Sequence, residues 1–280
     1  PGSSFANQPG FALGMINLVA AYEGEKVGFV ADMVYGPRGN DAVFGSPTGS
    51  SEVINQLYAY WNVSEKVKLT IGNFNTFLGY EVISPTANFN YSTSYLFSYG
   101  PFSHTGIKAD FTLSENTSLM LAIMNPTDAT EFNPTGSYAF GAQLGFSGQY
   151  INFLLDSGAY EIDFTGGFDV SETFFLGINA AYFSGDDAPG FYGAALYPQI
   201  ATSDSFKIGL RTEYFVEDGD FGAIGTGLED SSVFATTLTG NYTIGSLTII
   251  PELRLDSASE AAFVGDKALS SFALAAVYSF

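Results

Sequence analysis

The sequence predicts an all-β protein, an antiparallel up-and-down transmembrane β-barrel, and three observations carry that prediction. Apolar side chains alternate with small or polar ones at period two along most of the 280 residues, which puts them on opposite faces of a strand. The connections between these segments alternate between short and long. Charge falls on the face opposite the Phe and Leu residues, the reverse of a water-soluble sheet.

Composition points the same way. The chain holds 27 Phe, 17 Tyr and 32 Gly, has a mean hydropathy of +0.15, and is only 14% charged. An ordinary soluble domain carries about 25% charged residues. Yet no apolar run approaches the ~20 residues of a spanning helix; the most hydrophobic stretch is only Ser118–Met124. A chain this greasy without a spanning helix is either a large soluble β-protein with a buried core or a barrel whose apolar face meets lipid, and the face on which the charges fall decides for the barrel. No signal peptide is visible ahead of Pro1, so the chain reads as mature or truncated material. The formal net charge is −20, and nine scattered basic residues exclude a nucleic-acid footprint. Acids gather in Asp186–Asp187, Glu217–Asp220 and Glu229–Asp230, and read as solvated loops. With no Cys, disulfides, thiolate metal sites and thiol nucleophiles are all excluded.

Fifteen segments carry the alternation, and they pair off in order. Segments 11–22 and 25–36 meet at the turn Glu23–Glu25; 52–63 and 66–75 meet at Ser64–Glu65; 104–113 and 117–125 meet at Ser114–Asn116. Then 137–147 and 149–157 join at Gly148, 160–170 and 172–184 at Ser171, and 191–201 and 205–217 at Ser203–Asp204. Segments 231–244 and 246–257 join at Gly245, and 267–280 ends the chain. The clearest alternation sets Phe272, Leu274, Ala276, Tyr278 and Phe280 against Ser271, Ala273, Ala275, Val277 and Ser279. Phe206, Ile208, Leu210, Thr212 and Tyr214 likewise face away from Lys207, Gly209, Arg211 and Glu213. Between the pairs lie the longer connections 37–51, 76–103, 126–136, 185–190, 218–230 and 258–266, with a brief one at Gly158. Short periplasmic turns and long external loops are the signature of outer-membrane barrels. Tyr35, Tyr138, Tyr182, Tyr214 and Tyr278 fall near strand ends, as in an aromatic girdle.

Parity adds an expectation. A chain ending in the periplasm after fifteen strands starts outside, whereas bacterial single-chain barrels normally have an even count. A sixteenth strand is therefore expected ahead of Pro1 in the intact protein, with residues 1–10 the remnant of the first external loop and 1–280 a single β-barrel domain.

Residues 72–81 (GNFNTFLGYE), 88–92 (NFNYS) with Ser94, 101–106 (PFSHTG), 210–215 (LRTEYF), 252–263 (ELRLDSASEAAF) and the terminal Phe280 together resemble, in order and spacing, the putative β-barrel porin-2 (OmpL-like) family of Gram-negative outer membranes. The resemblance runs over essentially the whole chain and implies a channel in the bacterial outer membrane. The family pattern usually begins one strand earlier, in agreement with parity.

Connection 76–103 is the most informative loop. Glu81, Asn88, Asn90, Tyr91, Ser92 and Ser94 make it polar enough to line water. It folds inward as a constriction, with Glu81 facing cations on the wall, or it packs outside as a lid or partner surface. On the wall, Arg211, Glu213, Glu252, Arg254 and Asp256 share the non-greasy face, and Lys68, Lys108, Asp110 and Lys207 extend the pore-lining candidates. Such charges set ion selectivity or neutralise one another. His104 is the sole histidine, and no base–orienter set can be named around it, so catalysis is not expected. No cofactor or transition metal is expected; the hard oxygens of Asp186–Asp187 and Glu217–Asp220 leave calcium open. The reading is passive diffusion of small hydrophilic solutes or ions, with lipid and possible homo-oligomer or other outer-membrane neighbours. The alternative is a plugged accessory barrel that docks with another outer-membrane complex.

Overall fold

A computed structural model describes residues 3, 10–43, 52–133, 135–186 and 188–280. Among the described residues, fifteen strands follow one another in a single antiparallel order, each next to its neighbours in sequence. They are β1 (Ile16–Glu23), β2 (Val27–Tyr35), β3 (Ile54–Ser64), β4 (Val67–Asn75), β5 (Ser103–Thr112), β6 (Thr117–Met124), β7 (Ala139–Phe146) and β8 (Gln149–Asp156). The order continues with β9 (Ala159–Asp169), β10 (Phe174–Ser184), β11 (Gly190–Ala201), β12 (Phe206–Asp218), β13 (Ser232–Ile244), β14 (Leu247–Ala258) and β15 (Ala268–Tyr278). Every expected segment holds a strand. The largest difference is at the start, where β1 begins at Ile16 rather than at residue 11. Two short helices interrupt long connections: α1 (Pro37–Ala42) follows β2, and α2 (Tyr95–Tyr99) precedes β5. Residues 1–2, 4–9, 44–51, Pro134 and Asp187, and with them most of the expected loop remnant, lie outside the described residues.

The tight connections have a local cause. Ser147–Gly148 and Ser157–Gly158 link β7 to β8 and β8 to β9, and all four residues have positive φ (50°, 83°, 53° and 93°). Two successive left-handed residues twist a two-residue hairpin loop in the sense of its strands, and Gly reaches that region at no steric cost.

The chain forms two compact units. One contains residues 10–78 and 101–162, with β1 to β8 and the start of β9. One face of its strands is apolar and exposed, through Leu57, Trp61, Ile71, Ile107, Ile123, Phe140 and Ile151. The other face is polar. There Asp32 accepts from Asn17, from Asn55 (2.7 Å) and from Gln56 (3.0 Å), and Lys108 pairs with Asp110 at 3.0 Å. A small core of Phe74, Leu78, Met120, Met124 and Leu154 fills part of the same side.

The other unit contains residue 3, residues 79–100 and residues 163–280. Its strands show the inversion most sharply. Along β14, Leu253 and Leu255 are 55% and 51% exposed, while Glu252, Arg254 and Asp256 are 2%, 5% and 4% exposed. A strand that hides its charges and presents leucine is solvated by hydrocarbon on one face and by its own protein on the other. What hides the charges is the connection between β4 and β5.

Candidate functional site

Residues 79–100 lie against the charged face of β9 to β14 and are fastened there by carboxylates. Glu213, in the middle of β12, accepts two consecutive backbone N–H groups at the start of α2, Tyr95 at 2.9 Å and Leu96 at 2.8 Å. Glu252 on β14 does the same ahead of the helix, taking Tyr91 N–H at 2.9 Å and Ser92 N–H at 3.0 Å. Thr239, on β13, adds a hydroxyl to Glu252 at 2.8 Å and itself accepts from Asn90 at 2.7 Å. Charge-assisted hydrogen bonds of this kind are the strong ones, and here they replace the missing ladder partners of a loop buried in protein.

Two arginines complete the contact. Arg211 is fully buried and donates to Glu81 at 2.6 Å, to the Ser92 carbonyl at 2.5 Å, to Ser92 Oγ at 3.2 Å and to Thr237 at 3.1 Å. The other oxygen of Glu81 takes the N–H and hydroxyl of Ser94, whose Oγ in turn accepts the Phe97 N–H and so caps α2. Arg254 pairs with Asp256 at 2.7 Å, donates to the Thr93 carbonyl at 2.8 Å and to Ser3 Oγ, and lies over the Tyr95 ring. Asn88 closes a turn on Val82.

Aromatic rings seat the loop on wall glycines. A Cβ at Gly177 of β10 would lie 2.4 Å from the Tyr80 hydroxyl, and one at Gly209 of β12 would lie 2.4 Å from the Phe89 ring. Tyr80 also stacks on Tyr197 with centroids 4.3 Å apart. Burial, with Glu81 beside it, pushes the Tyr80 phenol up to about 12, so it stays neutral. Tyr95, Phe191, Phe215, Ala223 and Ile224 form a dry core on this face, and Tyr99 donates to the Ala223 carbonyl at 2.9 Å. The foot of the connection belongs to the other unit. There Thr76 meets His104 Nε2 at 3.0 Å, and the buried imidazole packs beside the Phe74 and Phe77 rings. Phe77 stands over Gly141, and its carbonyl accepts from Gln143 at 3.2 Å.

The structure thus gathers Glu81, Asn90, Tyr91, Ser92 and Ser94 of the loop with Arg211, Glu213, Glu252, Arg254 and Asp256 of the wall, while Asn88 bonds Val82 within the loop and lines the recess of Lys207. The five wall residues are covered by the loop rather than open to solvent. Lys207 stands apart, in a polar recess of about 220 Å³ with Asp204, Asn241, Thr243 and loop residues Thr86 and Phe89. Lys68, Lys108 and Asp110 belong to the other unit, where Lys68 lies over the Tyr60 ring. Sequence reading missed the glycine seats and the aromatic core. The one available signal was glycine in the middle of a strand, at positions aligned with the charged face.

A fastened loop over a buried charge row, on strands that turn leucine outward, is a feature of pore proteins, and comparison with known families agrees. The model of the family described as putative beta-barrel porin-2, OmpL-like, matches residues 1–280. The chain belongs to this family. It is a bacterial outer-membrane porin, a channel for solute diffusion. No curated protein matches it. Its fold is shared with solved outer-membrane porins of low identity. The outer-membrane channel DcaP of Acinetobacter baumannii is 14% identical, with a TM-score of 0.64 over 95% of this chain and 84% of that one. The anion-selective porin from Comamonas acidovorans is 11% identical, with a TM-score of 0.58 over 92% and 83%. A loop-deletion mutant of OmpT from Vibrio cholerae is 12% identical, with a TM-score of 0.56 over 94% and 89%. In the porin, then, the exposed Leu and Phe face is the one that meets lipid.

Proposed function

We propose that residues 79–100 are the constriction of this porin: they narrow the solute path by occupying the charged face of β9 to β14, and passage beside them is passive. The observation that carries this reading is the fastening itself. Two wall glutamates each hold two consecutive backbone N–H groups of the loop, so it is fixed at several points along its length rather than hinged at one. No bond is made or broken in the solute: width and charge do the sorting. His104 serves as packing at the loop's foot, enclosed by Phe74 and Phe77 with Thr76 on Nε2, and no reaction is assigned to it.

The test is removal of residues 82–98, followed by single-channel conductance in planar bilayers and a check of strand content by circular dichroism. The expected outcome is discrete steps in the parent protein and larger ones in the deletion. Equal steps from a folded deletion variant would sink the reading. The dry core of Tyr95, Phe191, Phe215, Ala223 and Ile224 favours a second reading, a sealed barrel that docks with another outer-membrane protein or a second copy. On that reading the parent is silent and only the deletion conducts.

A further inference from the structure

Around the two guanidinium groups Arg211 and Arg254, the loop and wall place four carboxylates, Glu81, Glu213, Glu252 and Asp256. Each acid is held by its own hydrogen bonds. Glu213 accepts backbone N–H on both oxygens, as does Glu252. Glu81 accepts from Arg211 on one oxygen and from Ser94 N–H on the other. Asp256 accepts from Arg254 Nε on one and from the Tyr95 hydroxyl on the other, at 3.2 Å. Four acidic side chains against two guanidinium groups leave two acids in excess around the arginines.

Glu81 and Asp256 are matched by their arginines. The surplus resides in Glu213 and Glu252, which are satisfied by neutral N–H and hydroxyl dipoles. Dipoles stabilise a charge without cancelling it, and a charge held among side chains is screened by salt far less than one on a surface loop. This distinguishes the pair from the many exposed acids of the outer connections. In this unit Lys207 shares its recess with Asp204. In the other unit Lys108 is paired with Asp110, and Lys68 lies over the Tyr60 ring.

We propose that this porin passes cations in preference to anions, and that Glu213 and Glu252 are the residues that set the preference. The inference rests on the reading of residues 79–100 as the constriction, which brings the solute path alongside this cluster. Two net charges at about 10 Å, in a water-like dielectric and partly screened, enrich a monovalent cation over its anion by roughly threefold.

The experiment is the reversal potential of the full chain in planar bilayers under a KCl gradient, in the parent and in E213Q, E252Q and T248K. Thr248 is a half-buried position on the same face of β14, lining the recess beside Lys207, and its hydroxyl meets only the Thr243 hydroxyl among the described residues, so T248K adds a cation there away from the buried loop contacts. The parent is expected to give a K⁺/Cl⁻ permeability ratio of roughly three, falling towards one in the glutamine variants and partway in T248K. A parent ratio at or below one overturns the proposal. So does a ratio unchanged in T248K and in every glutamine variant that folds. Absence of channel steps in the parent would overturn the constriction reading and the ion preference together, an outcome distinct from steps with the opposite preference.

Discussion

A guanidinium with no exposure to water needs its partners built around it, and Arg211 has a carboxylate, a carbonyl and two hydroxyls within 3.2 Å. Removing one partner of such a set leaves a charge buried alone, which costs more than the pair contributes. Asp128, in the connection between β6 and β7, is a different case. Its Oδ1 receives the N–H groups of Phe102 and Ser103, at 2.9 and 2.8 Å. Burial raises its carboxyl to about 6, with nearby Asp156 adding to the shift and those two N–H groups opposing it. An acid whose folded pKa lies above its unfolded value binds more protons when folded. The contribution of Asp128 to stability is therefore greatest below the unfolded value of 3.8 and is lost as pH rises from there through about 6. Asn at this position keeps an acceptor for both N–H groups and tolerates the positive φ of 62°. D128N is thus expected to flatten the decline in melting temperature between those pH values, and to stabilise the protein at neutral pH by roughly 1–2 kcal/mol. Thermal scans in detergent across that range decide it, and a slope identical to the parent's would refute the account.

At the scale of elements, the loop is positioned by knobs as well as by ties. Gly209 lies near the start of β12, where Phe89 covers it so closely that a methyl group would meet the ring. In G209A the ring must leave, and overpacking of this kind costs about 1–3 kcal/mol. The expected readout is a larger single-channel step with strand content intact, because the loop tip near Pro85 and Thr86 loses its seat. A smaller step would mean that Phe89 holds the loop away from the path. How much of this was legible in the sequence depends on range. The strands were legible because alternation is local: β14 writes its two faces in consecutive letters. Glu81 was legible as an acid in a polar loop. Its partner was not, since Arg211 lies 130 residues away, and nothing local in either segment specifies the pairing. Helix α2 was hidden because five residues are too few to establish a helical period, and its stability comes from the Ser94 cap and from Glu213 rather than from propensity. The glycine seats needed the third dimension too, because a glycine in a strand does not say which ring lies across it.

At the scale of the whole molecule, the inverted alternation makes a claim about solvent that a substitution can test. Leu253 and Arg254 are adjacent in β14, yet the leucine is 55% exposed and the arginine 5%. In a water-soluble sheet, Lys at Leu253 would replace an exposed apolar side chain with a charged one, and the effect would stay within about 0.5 kcal/mol. In hydrocarbon the same change is costly: about 2–4 kcal/mol near the bilayer midplane, falling towards zero near the interface. Leu253 pairs with Leu238 and Phe272 in the neighbouring strands, so it lies within a continuous apolar field. L253K is therefore expected to lower the stability of the porin in phospholipid vesicles by about 2–4 kcal/mol, measured by reversible urea unfolding. The same substitution at Ser257, nearer the strand end on the same face, should cost less than half of that, because the penalty fades towards the headgroups. Equal and negligible costs at both positions would mean that this face meets water. That result would take with it the assignment of the charged face, and of the loop fastened to it, to the solute side.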